Sequence, residues 1–297
     1  MAHDVSGANA PVKFGLVDCT NAEYHGGPGV SKSHLDVIAR SPLHYWQGYV
    51  NPERAPREAT PAMVVGTAIH SAILEPDLFT SQYVVAPDIN RRTNAGKAEW
   101  AAFVDEHEGY AVLTQEQYDT ALGARDSVRR HPLVRDMLSR GKAEQSYYAM
   151  DSDTGLVRKC RFDWLDYERG FALDVKSTVD ASAEFMRSCL KYRYHVQQAW
   201  YVDTLTLAVD FEQTVRDWVF LAVEKDPPYA CALYRLPSEM IRAGRRAAVR
   251  DLALIAQCRS SDEWPGYPTD VSELALSGWQ RKALGADSAE SDFEGLE

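Results

Sequence analysis

Phe171-Ala-Leu-Asp-Val-Lys-Ser177 is the stretch on which the reading of this chain turns. Side chains of an extended strand alternate between faces, so Phe171, Leu173 and Val175 share one apolar face. Asp174 and Lys176 then point together to the other. A carboxylate beside an ammonium two residues on, at the end of an apolar strand, can hold a divalent cation and steer a water. A solvated strand face with an ordinary ion pair explains the same letters. The preceding segment, Cys160-Arg-Phe-Asp-Trp-Leu165, narrows the choice. Alternation sets Phe162 and Trp164 on one face, and Arg161 and Asp163 on the other. A short hairpin through Tyr167-Glu-Arg-Gly170 would bring Asp163 beside Asp174 on one sheet surface. Like charges facing each other across strands are destabilising. A cation that prefers oxygen ligands, Mg²⁺ or Mn²⁺, relieves that repulsion.

Outward from this hairpin, the apolar period is two from Glu144 to Lys176, with strands expected over 145–150, 157–165 and 171–176. A helix over 181–208 follows, then strands over 214–223 and 230–234 and an Arg- and Ala-rich helix over 237–260. Before the meander the pattern is helical. Ser31 or Ser33 offers an N-cap for a helix to about Ala39, interrupted by Ser41-Pro42. Residues 63–75 form an apolar helix stopped by Pro76, and helical periodicity returns over 97–107 and 114–130. Helices, a β-meander, a helix, strands and a helix predict a mixed α/β fold, a central sheet flanked by helices. Residues 1–23 read as a flexible arm, 24–280 as a single domain and 281–297 as an acidic, disordered tail. No internal repeat is present.

Composition bounds the partners. Of 297 residues, 45% are apolar and 25% charged, which matches a globular chain and excludes a disordered or fibrous one. The formal net charge of -11 excludes a uniformly basic nucleic-acid coat protein, though not a local basic groove. The five cysteines are scattered and contain no CxxC pair, which argues against a zinc ribbon, an iron–sulfur cluster or a disulfide framework and fits a reducing cytoplasm. No stretch approaches the length of a membrane span.

Other residues carry weaker signals. His70 sits in Gly66-Thr-Ala-Ile-His70, inside an apolar helix, where a core histidine is the plain reading. Gln197 and Tyr201 are spaced i,i+4 and share a helix face. Arg91, Arg92 and Lys97 make the clearest basic loop, either solvated or phosphate-facing. Taken in order, Gly66-Thr-Ala-Ile-His70, Asp163, Asp174-Val-Lys176 and Gln197-Gln-Ala-Trp-Tyr201 resemble the PD-(D/E)xK nuclease superfamily, in its branch with a helix histidine and a QxxxY motif. Tyr24-His-Gly-Gly-Pro-Gly-Val-Ser-Lys-Ser33, Asn90-Arg-Arg-Thr-Asn-Ala-Gly-Lys97, Tyr192-Arg-Tyr-His-Val-Gln197 and Asp262-Glu-Trp-Pro265 further resemble the RecE-type (exonuclease VIII) recombination exonucleases of prophages. The proline that usually precedes the first acid is replaced by Phe162. The position held by a cluster-binding cysteine in iron–sulfur members is Ser41.

This resemblance implies a restriction-endonuclease-like core and a metal-dependent 5′→3′ exonuclease on linear double-stranded DNA, leaving 3′ overhangs for recombination by strand annealing. It implies Mg²⁺ or Mn²⁺, two ions, held by His70, Asp163, Asp174 and the Val175 carbonyl, with Glu144 as an outer carboxylate. Lys176 would orient the attacking water, and Gln197 and Tyr201 would position water or phosphate. Arg91, Arg92, Lys97 and Arg161 would contact DNA. The implied partners are a ring-shaped homo-tetramer and a single-strand annealing protein, in the cytoplasm of a phage-bearing bacterial host. A nuclease of other polarity, an endonuclease and a non-catalytic DNA-binding module remain as alternatives.

Overall fold

The computed structural model describes residues 12–55, 59–210, 214–276 and 278–285. In chain order these form β1 (Gly15–Val17), α1 (Asn21–Gly26), α2 (Lys32–Arg40), α3 (Pro42–Tyr45), a π-helical turn (Trp46–Val50), α4 (Pro61–Leu74), α5 (Pro76–Gln82), β2 (Tyr83–Val85), α6 (Asn94–Glu106), β3 (Ala111–Leu113), α7 (Gln115–Arg130), α8 (Pro132–Met137), β4 (Lys142–Met150), β5 (Val157–Asp166), β6 (Phe171–Thr178), α9 (Phe185–Lys191), α10 (Tyr194–Ala208), β7 (Asp217–Glu224), β8 (Cys231–Tyr234), α11 (Ser238–Ser261) and α12 (Gly278–Ala283). Polar caps and prolines set several helix starts. Thr60 accepts from the Met63 amide with Pro61 at the first helical position, Ser41 accepts from the His44 amide before Pro42, and Thr114 forms a capping box with Gln117. Pro76 does not merely stop α4; it opens α5.

Among the described residues, one six-stranded sheet runs in the order β1-β4-β5-β6-β7-β8, antiparallel except for the β6–β7 pair. That parallel pair is joined through α9 and α10, as parallel strands require a crossover. β2 and β3 form a separate parallel pair bridged by α6. Helices cover both faces of the sheet centre. Leu173, Val175, Val219 and Leu221 pack with Ile69 of α4 and Val128 of α7. Ala172, Phe162, Phe220 and Ala222 pack with Trp200 of α10 and Ile255 of α11 on the other side. The α/β class expected from the sequence is the one adopted, and β7 is apolar on both faces because both are buried, whereas β6 keeps Asp174 and Lys176 on one face.

Four sequence expectations need correction. The described part of the expected flexible arm is ordered: β1 pairs antiparallel with Ser146–Tyr148 of β4, a three-residue strand too short to show a period. Residues 1–11 of the arm and 286–297 of the tail lie outside the described residues. The unit holding the sheet ends at Trp264 rather than 280, and residues from Pro265 form a second unit containing α12. The helix expected over 181–208 is two helices. Arg193 lies between them at φ 55, where its guanidinium donates to the Leu35 carbonyl and pairs with Asp36 and Asp251. Finally, Phe162 and Trp164 do not share a face. Phe162 packs with Cys160 and Leu165, while Trp164 packs beside Leu173 and Val175. The β4–β5 ladder skips Glu144 and Asp163, and Glu144 sits at φ 51, breaking the strict alternation there.

Helix α11 meets the start of α10 backbone to backbone. A Cβ placed on Gly244 would lie 2.1 Å from the His195 carbonyl oxygen, whereas one on Gly48 would meet nothing within 4 Å. Gly244→Ala is therefore expected to destabilise the fold by about 2–3 kcal/mol, the scale of core overpacking. Gly48→Ala is expected to be neutral within about 0.5 kcal/mol. Urea unfolding of the two variants checks this; equal midpoints would be inconsistent with the contact.

Candidate active site

The site forms where the β5–β6 hairpin opens. The ladder pairs Trp164–Asp166 with Phe171–Leu173 and goes no further. Beyond it, the Asp163 side chain takes over from the backbone: its Oδ2 accepts from the Val175 amide at 2.8 Å. Asp174 and Lys176 follow on β6, one strand length past the turn, and β7 holds them from the far side in parallel register. Asp174 is 1% exposed. Its Oδ1 accepts from the Gln197 amide nitrogen at 2.5 Å, and its Oδ2 faces the Lys176 ammonium. The Lys176 nitrogen stands 4.9 Å from the ring centre of Tyr194.

His70 reaches the same carboxylate from α4, its Nδ1 3.4 Å from Asp163 Oδ2. Burial lowers its pKa and Lys176 lowers it further, so the imidazole is neutral at pH 7 and offers a lone pair. Both acids are pushed toward protonation. Burial raises Asp163 to about 7, opposed by Lys176 and reinforced by Glu144. Burial raises Asp174 to about 6, opposed by Lys176 and reinforced by Asp163. Burial alone would lower Lys176, but Asp174 and Asp163 hold its pKa above the usual value. Two desolvated carboxylates and one retained ammonium thus share a small volume.

Among the described residues, no group of three or more His, Cys, Asp or Glu side chains is arranged to hold a metal ion. The donor set nevertheless suits a hard divalent ion. Two buried carboxylates are pressed toward protonation and only partly offset by Lys176, and a cation is a group that would offset them further.

The remaining predicted residues fall into two groups. Glu144 belongs near the site, since its charge acts on Asp163 and His70, but its carboxylate is bound to Arg161 Nε at 2.6 Å. Arg161 is engaged within the fold as well: its Nη1 also donates to the Cys19 carbonyl and to Ser146. Periodicity could not reveal this pairing, because Glu144 lies on a different strand. Tyr201 lies one turn beyond Gln197 with its ring edge-on to Phe162 and Trp218. Burial raises its phenol pKa well above the ordinary value, with Tyr24, Asp174 and Asp163 adding to the effect. Arg91, Arg92 and Lys97 are exposed on α6 and the loop before it, and Arg91 lies over Trp100. Two contributors escaped the sequence reading. Tyr194 borders Lys176 and Arg193 anchors the start of α10; both lie in the Tyr192–Gln197 stretch that carried the resemblance, which gave neither a role.

The family model for the PDDEXK-like domain of unknown function (DUF3799) matches residues 31–274 of the chain. One similar solved structure is a candidate exonuclease from Eubacterium rectale, with a TM-score of 0.58 at 12% identity over 88% of this chain and 97% of that one. At such identity the likeness is one of fold. A phage-related exonuclease from Haemophilus somnus 129PT also matches, at 12% identity and TM-score 0.32 over 58% of this chain and 85% of its own. No curated protein matches. Among the described residues, no helix is long and apolar enough to cross a membrane.

The strained acid pair makes a stability prediction. A carboxyl whose folded pKa is raised stabilises the fold only while protonated, and that contribution is lost as pH rises through the raised value. Asp163→Asn keeps an acceptor for the Val175 amide but cannot ionise. In EDTA at pH 8 the variant is expected to be more stable than the natural chain by about 1–2 kcal/mol, or roughly 2–6 °C. The difference should shrink steadily between pH 7 and pH 4. Adding Mn²⁺ at pH 8 should raise the melting temperature of the natural chain and leave the variant's nearly unchanged. A variant that melts lower than the natural chain at pH 8 would contradict the assignment.

Proposed function

The chain belongs to the PDDEXK-like family DUF3799, and on that basis we propose that it is a metal-dependent nuclease that degrades linear double-stranded DNA from the 5′ end. The single observation that carries this reading is the convergence of Asp163, Asp174, Lys176 and Gln197 at the open end of the β5–β6 hairpin. The product in this reading is a 3′ single strand, which a strand-annealing protein would take up.

Each side chain has a task that its surroundings suit. Asp163, Asp174 and neutral His70, with the Val175 carbonyl, would hold Mg²⁺ or Mn²⁺. Such ions lower the pKa of a bound water and stabilise the attacking and leaving oxygens. Lys176 keeps its proton because two carboxylates face it, so it is suited to orient the water and to offset charge on the phosphorane. Gln197, fixed by its bond to Asp174, holds that carboxylate in one rotamer. Tyr194 borders the ammonium with an aromatic ring, which favours the charged lysine.

Purified protein incubated with Mg²⁺ is expected to degrade a linear, 5′-phosphorylated duplex and to leave a closed circle intact. EDTA should stop the reaction. End-labelled time courses fix the polarity: label placed at the 5′ terminus should be released first. Asp174→Asn and Lys176→Ala should each lower the rate by about 10²–10⁴-fold, with circular dichroism spectra unchanged. Nicking of circles would replace the exonuclease reading with an endonuclease one, and full turnover by either variant would remove the site assignment.

A further inference from the structure

Helix α9 lies in the crossover that leads from β6 to α10, and it buries one narrow stripe. Phe185 and Cys189, four residues apart, face the core. A surface helix ordinarily carries polar side chains opposite that stripe. Here Met186 and Leu190 recur at the same spacing and are 39% and 57% exposed, and Tyr192 follows at 49%. Arg187 and Lys191 stand one step further round, also four apart and exposed. Single apolar side chains on a surface need no explanation, but three exposed within seven residues and interleaved with cations form a patch that does.

The backbone of Tyr192 is fixed on both sides. Its amide donates to the Ser188 carbonyl at 2.9 Å, and its carbonyl accepts from the Lys32 ammonium at 2.5 Å. The ring stacks on Tyr194, with centres 5.8 Å apart, and the Lys191 nitrogen lies 5.3 Å from its centre. Tyr194 in turn borders the Lys176 nitrogen at 4.9 Å. The Tyr192 ring therefore stands within about 11 Å of that nitrogen, roughly three stacked nucleotides at about 3.4 Å each. Both tyrosines line a cleft of about 180 Å³ together with Ser177, Thr178, Ser188 and Lys225. The two acids at the same cleft are engaged: Asp180 accepts from the Ser182 amide at 2.8 Å, and Glu184 pairs with Arg187.

We propose that Tyr192, with the Met186–Leu190 stripe leading to it, is a platform on which unpaired bases of a DNA end stack, their phosphates facing Lys191 and Lys225. An intact duplex hides its base faces and offers only phosphates and groove edges. It has no use for an exposed ring and two exposed aliphatic side chains. An unpaired strand presents phosphates and open base faces together, and an aromatic side chain among cations holds such a strand without reading its sequence. The proposal takes its substrate from the nuclease reading and deepens it: the chain engages an end that has opened, and holds the opened bases a few nucleotides from Lys176.

Fluorescence anisotropy of a labelled oligothymidine with the full chain in EDTA tests the platform without any cleavage. Tyr192→Ala is expected to weaken binding of this single strand about tenfold, the scale of one lost stacking contact. Its affinity for a blunt duplex should change less than about twofold. Tyr192→Trp should keep the natural affinity, since stacking needs a ring and not the hydroxyl, and Leu190→Ser should fall between the two. Digestion in Mg²⁺ supplies a second readout. Tyr192→Ala should lose at least about fivefold more rate on a blunt end than on an end already mispaired, because only the blunt end has to be held open. A natural chain that binds no single strand overturns the proposal, and so does Tyr192→Ala with natural affinity. Equal loss on single strand and duplex also overturns it, as the mark of a general phosphate contact. Absence of cleavage by the natural chain would remove the nuclease reading alone, and the binding result would then decide the platform by itself.

Discussion

The constraint on which the site depends is the burial of Asp174 beside Lys176 on a strand that is covered from both sides. An ion pair between exposed side chains contributes little, often nothing measurable. Taken out of water, the same pair costs several kcal/mol per ion and is tolerated only with strong partners. Asp174 has two, the Lys176 ammonium and the Gln197 amide. Asp163 adds a second carboxyl nearby, held by one backbone amide. The cluster keeps one positive charge against two acids that burial presses toward neutrality. Such an arrangement is poorly optimised for stability.

The surrounding fold serves to keep that cluster in place. Gln197 reaches Asp174 only because α10 begins where it does. Its start is tied by Arg193 to α2 through Leu35 and Asp36, and to α11 through the buried Asp251. Arg193 adopts a left-handed backbone to make these bonds, a conformation costing of order 1 kcal/mol or more for a non-glycine residue. Gly244 lets α11 close on the same turn. On the other face, α4 brings His70 to Asp163 while its apolar residues seal the sheet. Two opposite layers thus deliver one residue each to a point between two strands.

Much of this was legible in the sequence, for identifiable reasons. The β5–β6 hairpin announced itself through its apolar period and a turn at Tyr167–Gly170, although the ladder ends at Trp164–Leu173 and the Asp163 side chain then binds the Val175 amide. The α/β class followed from the order of elements. Three kinds of feature were not legible. β1, β2 and β3 have three residues each, too few for a period. The break at Arg193 comes from bonds to residues more than fifty positions away, which no local propensity contains. The anchoring of Arg161 within the fold has the same origin, since its partners Glu144, Ser146 and Cys19 lie outside its own strand.

The same contrast separates a functional motif from its commonplace twin. An aspartate, any residue and a lysine on a strand with one wet face form an ordinary pair, and nothing about those three letters says otherwise. What changes the meaning here is the neighbour. β7 lies parallel to β6 along its whole length, and a parallel strand must be reached through a crossover that lays helices on the sheet. In this chain α10 is part of that crossover, and it covers the face to which Asp174 points. The chain topology itself therefore buries the acid and supplies the glutamine that holds it. The motif is informative in proportion to how unfavourable its placement would be without a role.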